Sequence, residues 1–196
     1  MIKTTIKSSK EDVVAKGKIF ELVHIQQSDG RVFEVARRAP GVRLIIADKQ
    51  GQTMLLTREY RKELGGYDYR LPGGKVFDTL DEYIGFRSSN SDIHKAAKDK
   101  AIAEGSEEAG IDIEELNEFS VSTLGATVEW DIYVFEVVKW SKNESGQHLE
   151  VGEDIDASNW YSYEQVESMI MNAEIQEERI ALILLRWIKL QKRGNL

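Results

Sequence analysis

Glu104, Glu107 and Glu108 stand at i, i+3 and i+4 in an Ala-, Lys- and Glu-rich run, which places three carboxylates on one helix face about 5–6 Å apart. They fall in the last turns before Gly110, where free carbonyls and the helix dipole are already negative. Acids there cost about 0.3–1 kcal/mol each at exposed positions. Lys100, four residues before Glu104, is the one local counter-charge. Such a cluster is either a solvated acidic helix end or a site for a divalent cation. Hard cations such as Mg²⁺ take carboxylate and carbonyl oxygens and keep positions open for substrate phosphates.

Other chemistries find no support. The chain has no cysteine, which removes disulfides, zinc-thiolate sites and Cys nucleophiles. His24, His94 and His148 lie far apart without metal-ligand spacing, and there is no Gly-x-Ser-x-Gly elbow. Pro72-Gly73-Gly74-Lys75 is not a P-loop, because no Gly lies five residues before Gly74 and Val76 stands where Ser or Thr is needed.

Gly74 upstream and Glu104, Glu107, Glu108, Gly110 and Ile111 downstream resemble the box of the Nudix hydrolases, G-x5-E-x7-R-E-U-x-E-E-x-G-U, where U is apolar. The resemblance implies Mg²⁺ or Mn²⁺ held by Glu104, Glu107 and Glu108, with the Gly73 carbonyl as a further ligand. Three departures stand out. Ala103 replaces the box Arg, Gly105 occupies the apolar position, and the segment after Gly74 is about fifteen residues longer than the box allows. Asp78, Asp81 and Glu82 in that insertion are candidate substitutes for the first box Glu.

Similarity extends beyond the box. Ala39-Pro40-Gly41, Arg58-Glu59-Tyr60-Arg61 and Tyr69-Arg70-Leu71-Pro72-Gly73-Gly74 fall in the order of the ADP-ribose pyrophosphatase-like Nudix enzymes. By that resemblance Arg61 and Gly74 contact substrate and Gly125 shapes its pocket. Arg61 taken alone could equally be a surface residue paired with Glu59 or Glu63. Glu153 would be the general base, with Glu150 as second candidate. Arg70 stands where the subgroup often has Glu, and residues 123–127 replace its S-P-G type loop, leaving ADP-ribose and nucleotide sugars both open. The expected reaction is metal-dependent hydrolysis of a nucleoside diphosphate linked to another group. The alternative is a non-hydrolytic, nucleotide-binding sensor.

The elements that must position these residues are legible in outline. Strands are expected at 18–25 and 31–36 around Asp29-Gly30, then at 42–47 and 53–57 around residues 48–51, and at 67–71. Ser91 is the expected cap of a helix over 92–108 that stops at Gly110. Strands follow at 119–124, 130–138 and 158–161; Ser162 with Gln165 makes a capping box. Ile180, Leu184, Trp187 and Ile188 form the apolar stripe of a last helix, with Trp130, Tyr133 and Phe135 read as core. The fold class is α+β: a mixed sheet with helices, preceded by a β appendage at 1–38, with the main domain at 39–196. The family resemblance makes this a Nudix-type α/β/α sandwich and implies a homodimer in which the appendage swaps between subunits.

Composition agrees with a folded protein of this size: 196 residues, 41% apolar and 31% charged. Thirty-four acids against 26 bases give a net charge of −8, which disfavours a nucleic-acid partner but permits a small phosphorylated ligand. No run approaches the roughly 18–20 apolar residues of a membrane span, and residues 8–12 are polar where a signal peptide would be apolar. The expected location is the cytoplasm.

Overall fold

The computed structural model describes residues 10–62, 65–89, 91–149 and 155–194. The chain opens with β1 (Glu11–Lys16), β2 (Glu21–Gln26) and β3 (Val32–Arg37), joined as an antiparallel meander. The turn at Gly30 has φ 85°, as an Asp-Gly hairpin requires. β1 lies outside the expected strands, because its six residues alternate poorly and stay almost wholly exposed.

The centre of the body is a three-stranded sheet. β4 (Gly41–Ile45) runs parallel to β11 (Ile132–Lys142), which pairs antiparallel with β9 (Ile111–Ser122). β4 is buried along its whole length, its apolar run interrupted by Arg43 rather than alternating with polar residues. Val42, Leu44, Tyr133 and Phe135 pack with Ala97 and Ala101 of α2 (Ile93–Glu107). Ile45, Ile132 and Val134 belong to a second cluster with α3 (Tyr163–Met171) and α4 (Glu178–Gly194), around the fully buried Trp187. Helices therefore cover two apolar faces of a mixed α+β body.

Two smaller sheets complete the body. β7 (Thr57–Arg61) pairs with β8 (Gly66–Arg70) and with β12 (Ile155–Asp156). β6 (Thr53–Leu55) pairs with β5 (Ala47–Asp48) and β13 (Trp160–Ser162). The expected strand at 53–57 thus splits into two segments that serve different sheets. The capping box forms as expected: Gln165 N donates to Ser162 Oγ at 3.2 Å and Ser162 N to Gln165 Oε1 at 2.8 Å.

The cap of α2 differs from expectation. Asp92, not Ser91, accepts from His94 N at 2.9 Å, while the Ser91 hydroxyl pairs with that of Ser89. An Asp there also places a negative charge at the positive helix end. Gly105 leaves the apolar box position without a side chain, and Ile113 of β9 supplies the missing volume. A Cβ at Gly105 would stand 2.5 Å from Ile113 Cδ1.

The described part of the insertion after Gly74 carries a helix, α1 (Leu80–Ser88), capped by Thr79 Oγ1, which accepts from Glu82 N at 3.2 Å. Its side chains tie it to the N-terminal strands: Asp81 pairs with Lys16, and Arg87 pairs with Glu129 and, at 3.9 Å, with Glu11. β10 (Val128–Glu129) pairs in parallel with β3, so the first sheet is closed by a strand of the body. Among the described residues no helix is long and apolar enough to cross a membrane.

Candidate functional site

The turn at 71–75 is fastened to β4. Leu44 N donates to the Pro72 carbonyl and Val42 N to the Gly74 carbonyl, both at 2.9 Å. This approach excludes side chains. Gly73 has φ 140°, and a Cβ there would overlap the Val42 carbonyl; one on Gly74 would overlap the Glu104 carboxylate. Gly73 N donates to Glu108 Oε2 at 2.6 Å, so the turn and the acidic helix are joined directly. The Gly73 carbonyl accepts from Arg43 Nη1 at 2.8 Å, which also donates to the Val42 carbonyl. The family resemblance implies that carbonyl as a metal ligand; in this conformation the Arg43 guanidinium faces it.

Against the turn lies a cavity of about 60 Å³ lined by Gly74, Lys75, Asp78, Lys100, Glu104, Glu107 and Glu108. α2 brings all three box glutamates to it, as their spacing predicts. Lys100 Nζ stands 3.1 Å from Glu104 Oε1 and 3.6 Å from Glu107 Oε2. Glu104 is 6% exposed. Its burial pushes the carboxyl pKa up, and the adjacent Lys100 only partly opposes this. Burial would lower the Lys100 pKa, yet Glu104 and Glu107 outweigh it and hold the ammonium above its ordinary value. The donors suit a hard cation in type and in the space they line. In this conformation no three acidic side chains among the described residues converge on one point, because two turn to Lys100 and one to Gly73. Of the insertion acids, Asp78 alone lines this cavity; Asp81 is paired with Lys16, and Glu82 accepts from Asp78 N at 3.2 Å.

Gly74, Lys75 and Glu108 also line a cleft of about 860 Å³. Arg38, Arg43, Arg61, Arg70 and Arg179 project along it. Arg61 pairs with Glu59 at 2.7 Å, and Arg70 with the fully buried Asp68. Of the other three, Arg179 and Arg43 flank one carboxylate: Glu177 stands 3.1 Å from Arg179 and 3.9 Å from Arg43. Burial, with repulsion from Arg179 and Arg43, depresses the Arg38 pKa against the pull of Glu177. The guanidiniums of Arg38 and Arg179 lie over the Trp130 ring, 4.2 and 4.4 Å from its centroid.

Most of the expected site residues gather here. Glu104, Glu107, Glu108 and Gly74 surround the cavity, and Arg61 lines the cleft while keeping the Glu59 pair. Gly125 does not line the cleft, though its neighbour Leu124 does. Glu150 and Glu153 lie outside the described residues. Tyr133 and Phe135 are core as expected, whereas Trp130 packs on the core with one side and lines the cleft with the other. Arg38, Arg43 and Arg179 carry no motif that would have singled them out.

No protein-family model and no curated protein sequence matches the chain. Among solved structures it is similar to the "Crystal structure of ADP compounds hydrolase". The TM-score is 0.63 at 18% identity, over 97% of this chain and 100% of that one. The likeness is one of fold.

Proposed function

We propose that the protein is a Nudix-type hydrolase that splits the diphosphate bond of a nucleoside diphosphate derivative, ADP-ribose or a nucleotide sugar. The observation that carries this reading is the contact between two opposite charge environments. A small carboxylate cavity opens beside a cleft lined by five arginines and Lys75. A diphosphate needs both: guanidiniums for its outer oxygens and a carboxylate site for Mg²⁺ or Mn²⁺ at its centre. The apolar faces on both sides of the central sheet support the three-layer arrangement of that family, and the fold neighbour is an ADP compounds hydrolase.

In the reaction, water adds to one phosphorus and the bridging P–O bond breaks, giving a nucleoside monophosphate and a sugar phosphate. A bound divalent cation would neutralise phosphate oxygens and lower the pKa of a water. Glu104, Glu107 and Glu108 would hold it. Arg61 and Arg179 would orient the diphosphate, and Gly74, which lines both the cavity and the cleft, would lie against it. Glu153 or Glu150 would take the proton of the attacking water.

The exposed apolar side chains of the N-terminal strands, Val13, Val14, Val32 and Phe33, support a homodimer that covers them. Deleting residues 1–36 is expected to yield impaired monomers by light scattering; an active dimer would refute that assembly. A second reading, a ligand-binding sensor without turnover, is favoured by Ala103 and by the engagement of Glu104 and Glu107 with Lys100. Chromatography of ADP-ribose and nucleotide sugars incubated with the protein, with and without Mg²⁺, separates the two. Metal-dependent release of a nucleoside monophosphate is the expected result. Calorimetric binding with no product would give the sensor.

A further inference from the structure

The carboxylate cavity already holds a cation of the chain's own. Lys100 is one turn before Glu104 and two turns before Glu107, and its ammonium reaches both, at 3.1 and 3.6 Å. It lines the same 60 Å³ of space as Glu104, Glu107 and Glu108, and its side chain is 23% exposed. Lys100 and a divalent cation therefore draw on the same oxygens, Glu104 Oε1 and Glu107 Oε2.

We propose that Lys100 is a built-in competitor for the metal. It neutralises Glu104 and Glu107 in the metal-free protein and must swing away before both carboxylates can turn to a divalent cation. The proposal rests on the metal-site reading given above. Three features of the side chain fit the role. An ammonium is a point charge on a flexible four-carbon stem, able to leave without disturbing the helix backbone, unlike a guanidinium fixed in a planar fork. Lys100 stays partly solvated, so a route outward exists. The position three residues later is Ala103, whose methyl offers Glu104 and Glu107 no competing charge once Lys100 has gone. Lys100 thereby trades metal affinity for a stable metal-free fold: Glu104, almost fully enclosed, would otherwise lose its ion-pair partner.

The test measures Mn²⁺ binding to the full chain by the electron paramagnetic resonance signal of free Mn²⁺, together with the melting temperature in chelator and in saturating Mn²⁺. Lys100→Met is expected to bind Mn²⁺ more tightly by roughly 5- to 150-fold, the usual span of coupling between two sites. Its melting temperature in chelator should fall, and its gain on Mn²⁺ addition should exceed that of the unaltered protein. Lys100→Gln, which keeps a polar tip, should show the same sign and serves if the Met variant does not fold. Adding Glu107→Gln to either should abolish the gain in affinity. Equal or weaker Mn²⁺ binding in both variants would overturn the competition while leaving the metal site standing. Absence of Mn²⁺ binding in the unaltered protein and in both variants would overturn the metal site, and the competition with it.

Discussion

Arg37 and Lys100 are both cations set among carboxylates, and their surroundings lead to opposite behaviour. Arg37 donates Nε to Glu129 at 2.9 Å, Nη1 to Glu21 at 3.1 Å and Nη2 to Glu11 at 2.8 Å. Its side chain is 5% exposed, and Arg87 adds a second cation to the same carboxylates. Every guanidinium nitrogen has its own acceptor, so the planar fork is locked by three strands at once. Lys100 instead reaches two oxygens of one helix from one flexible stem and faces a cavity. The first cluster fixes the N-terminal sheet to the body. The second is compensated only while nothing better is bound. Similar charges thus serve as a rivet or as a vacancy, according to how many elements hold the cation.

Breaking the rivet should have the largest effect. Arg37→Met leaves Glu21, buried beside it, without a counter-charge, and should lower stability by about 3–5 kcal/mol in guanidinium titrations. A loss below about 1 kcal/mol, the range of an exposed pair, would place both clusters in one class. Next comes the open cluster. Glu108→Gln removes a charge while keeping an oxygen for Gly73 N–H, so the fold should persist by circular dichroism. Metal-dependent product release should nevertheless fall by roughly 100-fold or more; unchanged turnover would remove Glu108 from the chemistry.

A smaller effect is expected in the arginine-lined cleft. Arg179→Gln takes one guanidinium from the group that shares Glu177, and should raise the substrate dissociation constant by about tenfold, or about 1.4 kcal/mol, in calorimetry. Unaltered affinity would mean that Arg179 serves Trp130 and Glu177 alone. The smallest effect belongs to a half-buried carboxylate held by a local turn. Hydrogen bonds from the Ser158 hydroxyl and backbone N–H bring the Asp156 pKa down to about 2. Because the folded value lies below that of the unfolded chain, ionised Asp156 favours the folded state above the ordinary aspartate range. That contribution fades as the pH falls toward about 2. Carboxyl titration by NMR should find the low value, and Ser158→Ala should raise it.

What could be read from the sequence was local. The acidic cluster, the two-glycine turn and the Ser162 box depend on residues a few positions apart, and helical spacing or glycine chemistry betrays them. The central strands announce themselves as apolar runs. The first part of β9 does not, because Asp112, Glu114, Glu115, Asn117 and Glu118 break its pattern although the backbone stays paired with β11. α1 buries only Leu80 and is held mainly by charges from distant strands, so it lacks an apolar stripe to find. The Trp130 side of the cleft was hidden for the same reason: Arg179 donates to the Trp130 carbonyl across 49 positions. Short-range signals located the carboxylates; only the folded chain could place the cations that complete the site.

The pairing of Arg37 with Glu129 spans 92 positions of chain. During synthesis at about 5–20 residues per second, β1 to β3 would therefore leave the ribosome roughly 5–18 s before the strand that closes their sheet. For that interval the end of β3 at Ala36 and Arg37 lacks its β10 partner, and Arg37 lacks one of its carboxylates. The speed of translation through residues 38–129 thus sets how long the nascent chain offers that open edge.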